Sequence, residues 1–152
     1  MVLLRMRKFL FLLIIPFCFF GCKQTDQAAV DKQIILKYIA DHNLNAIEEP
    51  NGLYYVPTVV GTGGYPNINS TVTVYYKGYF TNGNVFDQTT ISPIAFPLAN
   101  VITGWQEGIP LMQTGGKATL LIPSALAYGS QGAGSVPGNT VLIFDVQLVS
   151  FH

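Results

Sequence analysis

Large aromatic side chains recur in short segments that follow one another in a fixed order along the chain. The segments are VYYKG at 74–78, VFD at 85–87, VITGW at 101–105, AYG at 127–129 and VLIFDV at 141–146. Each has the composition of a strand, helix or loop edge whose rings could face one pocket. A water-poor aromatic pocket with a few hydrogen-bonding groups can act on a bound group without a nucleophile, metal or cofactor.

The residues that most often carry covalent or metal chemistry are scarce. Cys18 and Cys22 are the only cysteines, and both belong to an apolar leader, so the rest of the chain has no disulfide, thiolate ligand or thiol nucleophile. His42 and His152 are the only histidines, and a zinc site or catalytic triad would need positioned partners around them. We therefore expect no metal and no cofactor.

The charge balance argues against nucleic acid as a partner. The chain has eight basic and eight acidic side chains, and removing Arg5, Arg7 and Lys8 with a cleaved leader would leave five against eight. Phosphate binding needs clustered Lys and Arg, and no such cluster lies outside the leader.

In their order and spacing, the aromatic segments resemble the FKBP-type (macrolide-binding) peptidyl-prolyl cis-trans isomerases over roughly residues 51–152. The resemblance implies an α+β domain in which an antiparallel sheet half-wraps one short helix. It also implies isomerase activity on proline-containing polypeptides, with no cofactor, and a pocket that macrolide inhibitors can enter.

The resemblance assigns a role to each pocket residue. Trp105 is the floor, and Asp87 orients Tyr76. The Ile102 backbone N–H and the Tyr128 hydroxyl donate to substrate carbonyls, so that Tyr76, Asp87 and Tyr128 are the expected catalytic residues. The other substrate-binding residues are Phe86, Ile94, Phe96, Val101, Val136 and Phe144. Taken singly, each aromatic residue is more often plain core, and only their co-occurrence favours a site.

Three departures from the family pattern bear on substrate preference and drug affinity. Ile94 stands where the family often has Phe, which makes that wall smaller. The loop after Gly129 is shorter, rich in glycine and without histidine. The stretch from Phe96 to Asn100 is also shorter than usual.

Residues 1–21 have the features of a secretory signal peptide. Arg5, Arg7 and Lys8 precede an apolar stretch that is too short to span a bilayer and ends in Gly21 and Cys22. This ending resembles the lipobox of bacterial lipoproteins, in which the cysteine is acylated and becomes the first residue. We expect a lipid-anchored protein of the cell envelope, on the periplasmic or outer-membrane side. An uncleaved anchor or a signal cut elsewhere are the alternatives.

A lipid-anchored tether and a short helix are predicted over residues 22–50. Apolar residues recur at helical spacing with charged residues between them, which predicts an amphipathic helix of about three turns over 30–42. They are Val30, Ile34, Ile35, Tyr38 and Ile39, with Asp31, Lys32, Lys37 and Asp41 between them. The apolar face either packs on its own domain or mediates self-association.

Residues 51–152 alternate between segments rich in β-branched and aromatic residues and turn signals, which predicts several antiparallel strands. Asn82 and Gly83 are typical of a hairpin tip. Thr103 and Gln106 have the spacing of a capping box that opens a short helix carrying Trp105. A binding or chaperone module of the same fold, with weak or no isomerase activity, is the alternative function, and a structural surface lipoprotein is disfavoured by the pocket residues.

Overall fold

The computed structural model describes residues 26–152, and an antiparallel sheet forms the centre of this part of the chain. Its seven strands are β1 (Ile47–Glu48), β2 (Tyr54–Val59), β3 (Thr71–Tyr79), β4 (Val85–Gln88), β5 (Ile94–Pro97), β6 (Lys117–Ile122) and β7 (Leu142–Phe151). Their order is β1-β2-β6-β7-β3-β4, and β5 pairs with β3 on the same edge as β4. The predicted α+β architecture is confirmed.

Strand β3 pairs with three other strands, and these four strands carry many of the aromatic side chains of the domain. One edge of β3 pairs with β7 along almost its whole length, and the other pairs first with β5 and then with β4. The turn between β3 and β4 is the predicted hairpin tip. Gly83 lies there with a φ of +86°, and its N–H donates to the Phe80 carbonyl oxygen at 2.8 Å. A backbone with this φ favours glycine over any other residue.

Side-chain alternation along the strands gives the sheet two different faces. On β6, Leu120 and Ile122 are buried on the inner face, whereas Leu121 is buried on the outer face. Helix α2 (Thr103–Gly108) packs on the inner face, where Trp105 and Ile109 join the larger hydrophobic core. Each face is therefore covered by hydrophobic side chains from elsewhere in the chain.

Helix α1 (Gln27–Asp41) packs against the outer face of its own domain, which answers the question that the sequence left open. The helix is longer than the predicted three turns, and the Asp26 carboxylate caps it by accepting from the Ala28 N–H at 3.1 Å. Ile35 is fully buried in the smaller core, as the spacing predicts. Asp31 is also buried, contrary to its predicted place among the polar residues between the apolar positions.

The predicted capping box of α2 is wrong. Ile102 is the N-cap, and no side chain caps the first turn. The Gln106 amide instead donates to the carbonyl oxygens of Val101 at 2.8 Å and Ala99 at 3.3 Å. A long amide side chain can reach carbonyl groups before the helix, and here it ties α2 to the preceding loop.

The predicted leader at 1–21 and the acylation site at Cys22 lie outside the described residues, as does the start of the tether. Within residues 26–152, no helix is both long enough and apolar enough to cross a bilayer.

Candidate functional site

A cavity of about 300 Å³ opens on the inner face of the sheet beside α2. Its lining combines strand, helix and loop residues: Tyr76, Phe86, Asp87, Phe96, Asn100, Val101, Ile102, Trp105, Tyr128 and Phe144. A larger cavity of about 520 Å³ lies on the outer face, where Thr58, Lys77 and Lys117 are among its polar lining residues. The smaller cavity is the candidate site because only it has an aromatic floor and aromatic walls.

Trp105 forms the floor of this cavity and is 4% exposed. Tyr76, Phe144 and Phe96 surround it, with ring centroids 5.2, 5.3 and 5.7 Å from the indole. The interplanar angles are 83°, 80° and 84°, so each ring meets the indole edge to face. This arrangement suits the aromatic quadrupole and gives the cavity rigid walls.

The register of β3 and β7 sets the spacing of the walls. Gly78 on β3 lies opposite Phe144 on β7. A Cβ at Gly78 would lie 2.7 Å from Phe144 Cε1 and 2.7 Å from Phe86 Cζ. The missing side chain therefore provides the space in which the Phe86 and Phe144 rings meet, with centroids 5.5 Å apart.

The Tyr76 hydroxyl donates a hydrogen bond of 2.6 Å to Asp87 Oδ2. The pairing of β3 with β4 brings the two residues together, since Asp87 lies opposite Gly78. Burial raises the pKa of Tyr76 well above its ordinary value, and the hydrogen bond to Asp87 raises this pKa further. The phenol therefore stays protonated, and its only hydroxyl proton is directed at the carboxylate.

The rim of the cavity carries two further donors. The backbone N–H of Ile102 makes no hydrogen bond within residues 26–152, because Ile102 is the extended N-cap of α2. Tyr128 is 38% exposed and lines the same cavity. Burial, followed by the negative charge of Asp87, raises the pKa of Tyr128, which keeps its hydroxyl a donor.

Two of the residues expected at the site do not line the cavity. Ile94 is 44% exposed at the start of β5, paired with Val74, and lies nearer to solvent than Phe96. Val136 is 6% exposed and packs into the larger core, bridged to Ala133. Asn100, by contrast, lines the cavity although sequence reasoning did not select it. Its only signal in the sequence is its position directly before Val101.

No three His, Cys, Asp or Glu side chains converge on a possible metal position anywhere in 26–152. The groups that a ligand in the cavity can contact are aromatic rings, one carboxylate and a few hydrogen-bond donors.

Residues 63–149 match the family described as FKBP-type peptidyl-prolyl cis-trans isomerase. The chain belongs to this family. FKBP-type peptidyl-prolyl cis-trans isomerase FkpA of Aeromonas hydrophila is 46% identical over 104 residues, which are 67% of this chain and 39% of that protein. FK506-binding protein 4 of Dictyostelium discoideum is 47% identical over 104 residues, or 66% of this chain and 29% of that protein. The chain thus spans well under half the length of these two relatives.

Solved FKBP-type structures have the same fold. FkpA from Escherichia coli superposes with a TM-score of 0.75 at 36% identity, covering 83% of this chain and 59% of that one. A peptidyl-prolyl cis-trans isomerase from Pseudomonas syringae superposes with a TM-score of 0.74 at 33% identity, covering 82% of this chain and 92% of that one.

Proposed function

We propose that this FKBP-type chain catalyses the cis-trans isomerisation of Xaa-Pro bonds in polypeptides. The observation that carries the proposal is the cavity with Trp105 at its floor and donors at its rim. Names of the matched relatives support the same activity.

The reaction suits a cavity without a nucleophile. Amide resonance opposes rotation about the peptide bond with a barrier of about 18–20 kcal/mol, and cis and trans Xaa-Pro bonds interconvert slowly. The twisted transition state has lost this resonance, so its carbonyl is less polar than that of the planar amide. An apolar aromatic cavity therefore binds the transition state more tightly than the ground state, which lowers the barrier.

Each cavity residue has a separate role in the proposed mechanism. The proline ring would lie on the Trp105 indole between Tyr76 and Phe144, whose edge-to-face contacts hold the walls in place. The Ile102 N–H and the Tyr128 hydroxyl would donate to substrate carbonyls on either side. Because Tyr76 donates to Asp87, it acts as a fixed wall. No proton is transferred in this mechanism.

The rim also favours a particular substrate class. Val101 and Ile102 present apolar side chains beside the floor, so we expect a preference for an apolar residue before proline. FK506-binding protein 4 is named for a macrolide ligand, and the aromatic cavity supports macrolide inhibition here as well.

A protease-coupled or refolding assay of the full chain tests the activity. We expect acceleration of Xaa-Pro isomerisation, greater for peptides with an apolar residue before proline than with a charged one. Quenching of Trp105, the only tryptophan, reports binding of a proline peptide or macrolide. An uncatalysed rate from a chain shown to be folded would contradict the enzyme proposal and leave a binding module.

We further propose that the protein is exported, acylated at Cys22 and held at the cell envelope, where its clients are other exported proteins. The basic and apolar leader that ends in Gly21 and Cys22 supports this location. Replacing Cys22 with Ala should release the protein from the membrane fraction, because no other cysteine lies at the end of the leader. Mass spectrometry of the N-terminus gives the decisive measurement, and an unmodified terminus at another residue would contradict the proposal.

A further inference from the structure

A carboxylate that the proposed mechanism does not use is buried where α1 meets the domain. Asp31 is 1% exposed, and its Oδ2 accepts hydrogen bonds from the Ser124 N–H at 2.8 Å and the Ser124 hydroxyl at 2.6 Å. Its other oxygen accepts from the Gln27 amide at 2.8 Å. Burying a carboxylate costs free energy unless it is hydrogen-bonded, and charge-assisted bonds of this kind are strong.

Ser124 connects this carboxylate to the segment that carries Tyr128. It begins the 3₁₀ turn Ser124–Leu126 and is 2% exposed. Its carbonyl oxygen accepts from the Ala127 N–H at 3.0 Å and from the Gly129 N–H at 2.8 Å. Ala127 and Gly129, which flank Tyr128, are therefore both hydrogen-bonded to Ser124, and Ser124 is hydrogen-bonded to Asp31.

This arrangement joins a region outside the family match to the rim of the cavity. The match begins at residue 63, whereas Asp31 lies on α1. The 3₁₀ turn is among the elements that α1 contacts. Since Tyr128 is partly exposed and its hydroxyl forms no hydrogen bond within 26–152, its position depends on how its backbone is held.

We propose that Asp31 is a positioning residue, which acts through Ser124 to hold the Tyr128 hydroxyl at the rim of the cavity. The inference rests on the proposed function, because it assumes that Tyr128 donates to the substrate. In this arrangement α1 is part of the catalytic unit, although none of its residues lines the cavity.

A double-mutant cycle on the full chain tests this role. Asp31→Ala removes the acceptor and should lower kcat/KM by about threefold to tenfold, as expected for loss of a hydrogen bond to the substrate. In a Tyr128→Phe background the same substitution should have almost no effect on kcat/KM, because the hydroxyl is already absent. Its effect on the melting temperature should be the same in both backgrounds.

Three further variants serve as controls for the cycle. Asp41→Ala is the matched control, because Asp41 lies on the same helix and its carboxylate pairs with Lys37 at the surface; kcat/KM should not change. Asp31→Asn keeps an acceptor for Ser124 and should restore part of the lost activity. Ser124→Ala removes one of the two donors and tests the same connection if Asp31→Ala does not fold.

The failure of the inference can be told apart from failure of the proposed function. Equal losses of activity for Asp31→Ala in both backgrounds, or no loss in either, would overturn the positioning role. If the wild-type chain has no isomerase activity, the proposed function fails. NMR then still tests the connection: amide resonances of 127–129 that do not shift in Asp31→Ala would overturn it.

Discussion

The two faces of the sheet use different side chains for different tasks. On the inner face, aliphatic residues fill the depth of the core, and aromatic rings around Trp105 leave a cavity of about 300 Å³. On the outer face, the smaller core joins α1 to the sheet through side chains such as Ile35, Leu121 and Ile143. Both faces bury hydrophobic area, but only the inner-face cavity has Trp105 as a floor between aromatic walls, whereas the cavity on the outer face is lined mostly by polar residues.

The difference shows how one sheet can support a site and a docking surface together. Aromatic rings have few torsions, and their edge-to-face contacts keep them apart, so the space between them does not collapse. Aliphatic side chains interdigitate at crystal-like density and hold a helix in place. The alternation of side chains along β6 and β7 lets these two kinds of packing coexist one residue apart.

The largest effects are expected when one buried side chain on each face of the sheet is truncated. Trp105→Ala should lower the free energy of unfolding by about 3–5 kcal/mol, and Leu121→Ala by about 2–5 kcal/mol, because both remove buried side chains. Only Trp105→Ala should also abolish isomerase activity per folded molecule. Denaturant unfolding with parallel kinetics measures both quantities, and equal activity losses would mean that the faces do not divide the work.

A smaller effect is expected where the aromatic walls meet. Gly78→Ala would place a Cβ 2.7 Å from atoms of both Phe86 and Phe144, and overpacking of this kind costs about 1–3 kcal/mol. Activity should fall as well, because the rings must move. Gly64→Ala is the matched control, since its Cβ would come no closer than 3.4 Å to Phe151; similar effects of the two substitutions would contradict the explanation.

Tyr128→Phe removes a hydroxyl from the rim without changing the packing of the ring. A neutral hydrogen bond contributes about 0.5–1.5 kcal/mol, so kcat/KM should fall by a few-fold to about tenfold while the melting curve stays unchanged. Tyr65→Phe, on an exposed ring outside the cavity, is the control. Kinetics identical to wild type would mean that Tyr128 is only an aromatic residue at a loop edge. Asp87→Ala is less informative, because it also frees Tyr76.

The smallest effect is expected from a change of pH, because kcat/KM should hardly depend on it. A tyrosine loses its donor proton only as pH rises through its pKa, and the pKa values of Tyr76 and Tyr128 are both raised. No histidine lines the cavity. We therefore expect kcat/KM to be constant between roughly pH 6 and 9, a range that ends about one unit below the ordinary tyrosine pKa. A titration step in this range, measured with a substrate that has no ionisable group, would contradict the assignment of donors.

Much of the fold follows from local signals in the sequence. The spacing around Ile35 gives α1, Asn82 and Gly83 give the hairpin, and the ordered aromatic segments give the cavity walls. The first two signals are reliable because each depends on a period or a turn conformation within a few residues. The cavity walls, by contrast, follow from the resemblance of the ordered segments to the FKBP-type family.

The differences between the sequence expectations and the structure have a common physical cause, since each depends on a contact that the local period of an element does not describe. Asp31 lies four residues before Ile35, which places it on the buried stripe, but the bond that compensates its burial comes from a residue 93 positions away. Gln106 turns back to carbonyl groups of the preceding loop rather than capping its helix. Val136 packs into the larger core rather than lining the cavity, and it belongs to a loop that no period describes.

The position of β7 has a consequence for how the domain acquires its structure. This strand is the last of the sheet in the sequence, yet it lies between β6 and β3. Without β7, the β2–β6 pair and the β3–β4–β5 group have no common neighbour in the sheet, and each exposes an unpaired edge. The two groups therefore join in the sheet only through β7, by pairing distant parts of the chain, as in slowly folding topologies. Because Phe144 lies on β7, the aromatic cavity lacks one of its walls until this strand has paired.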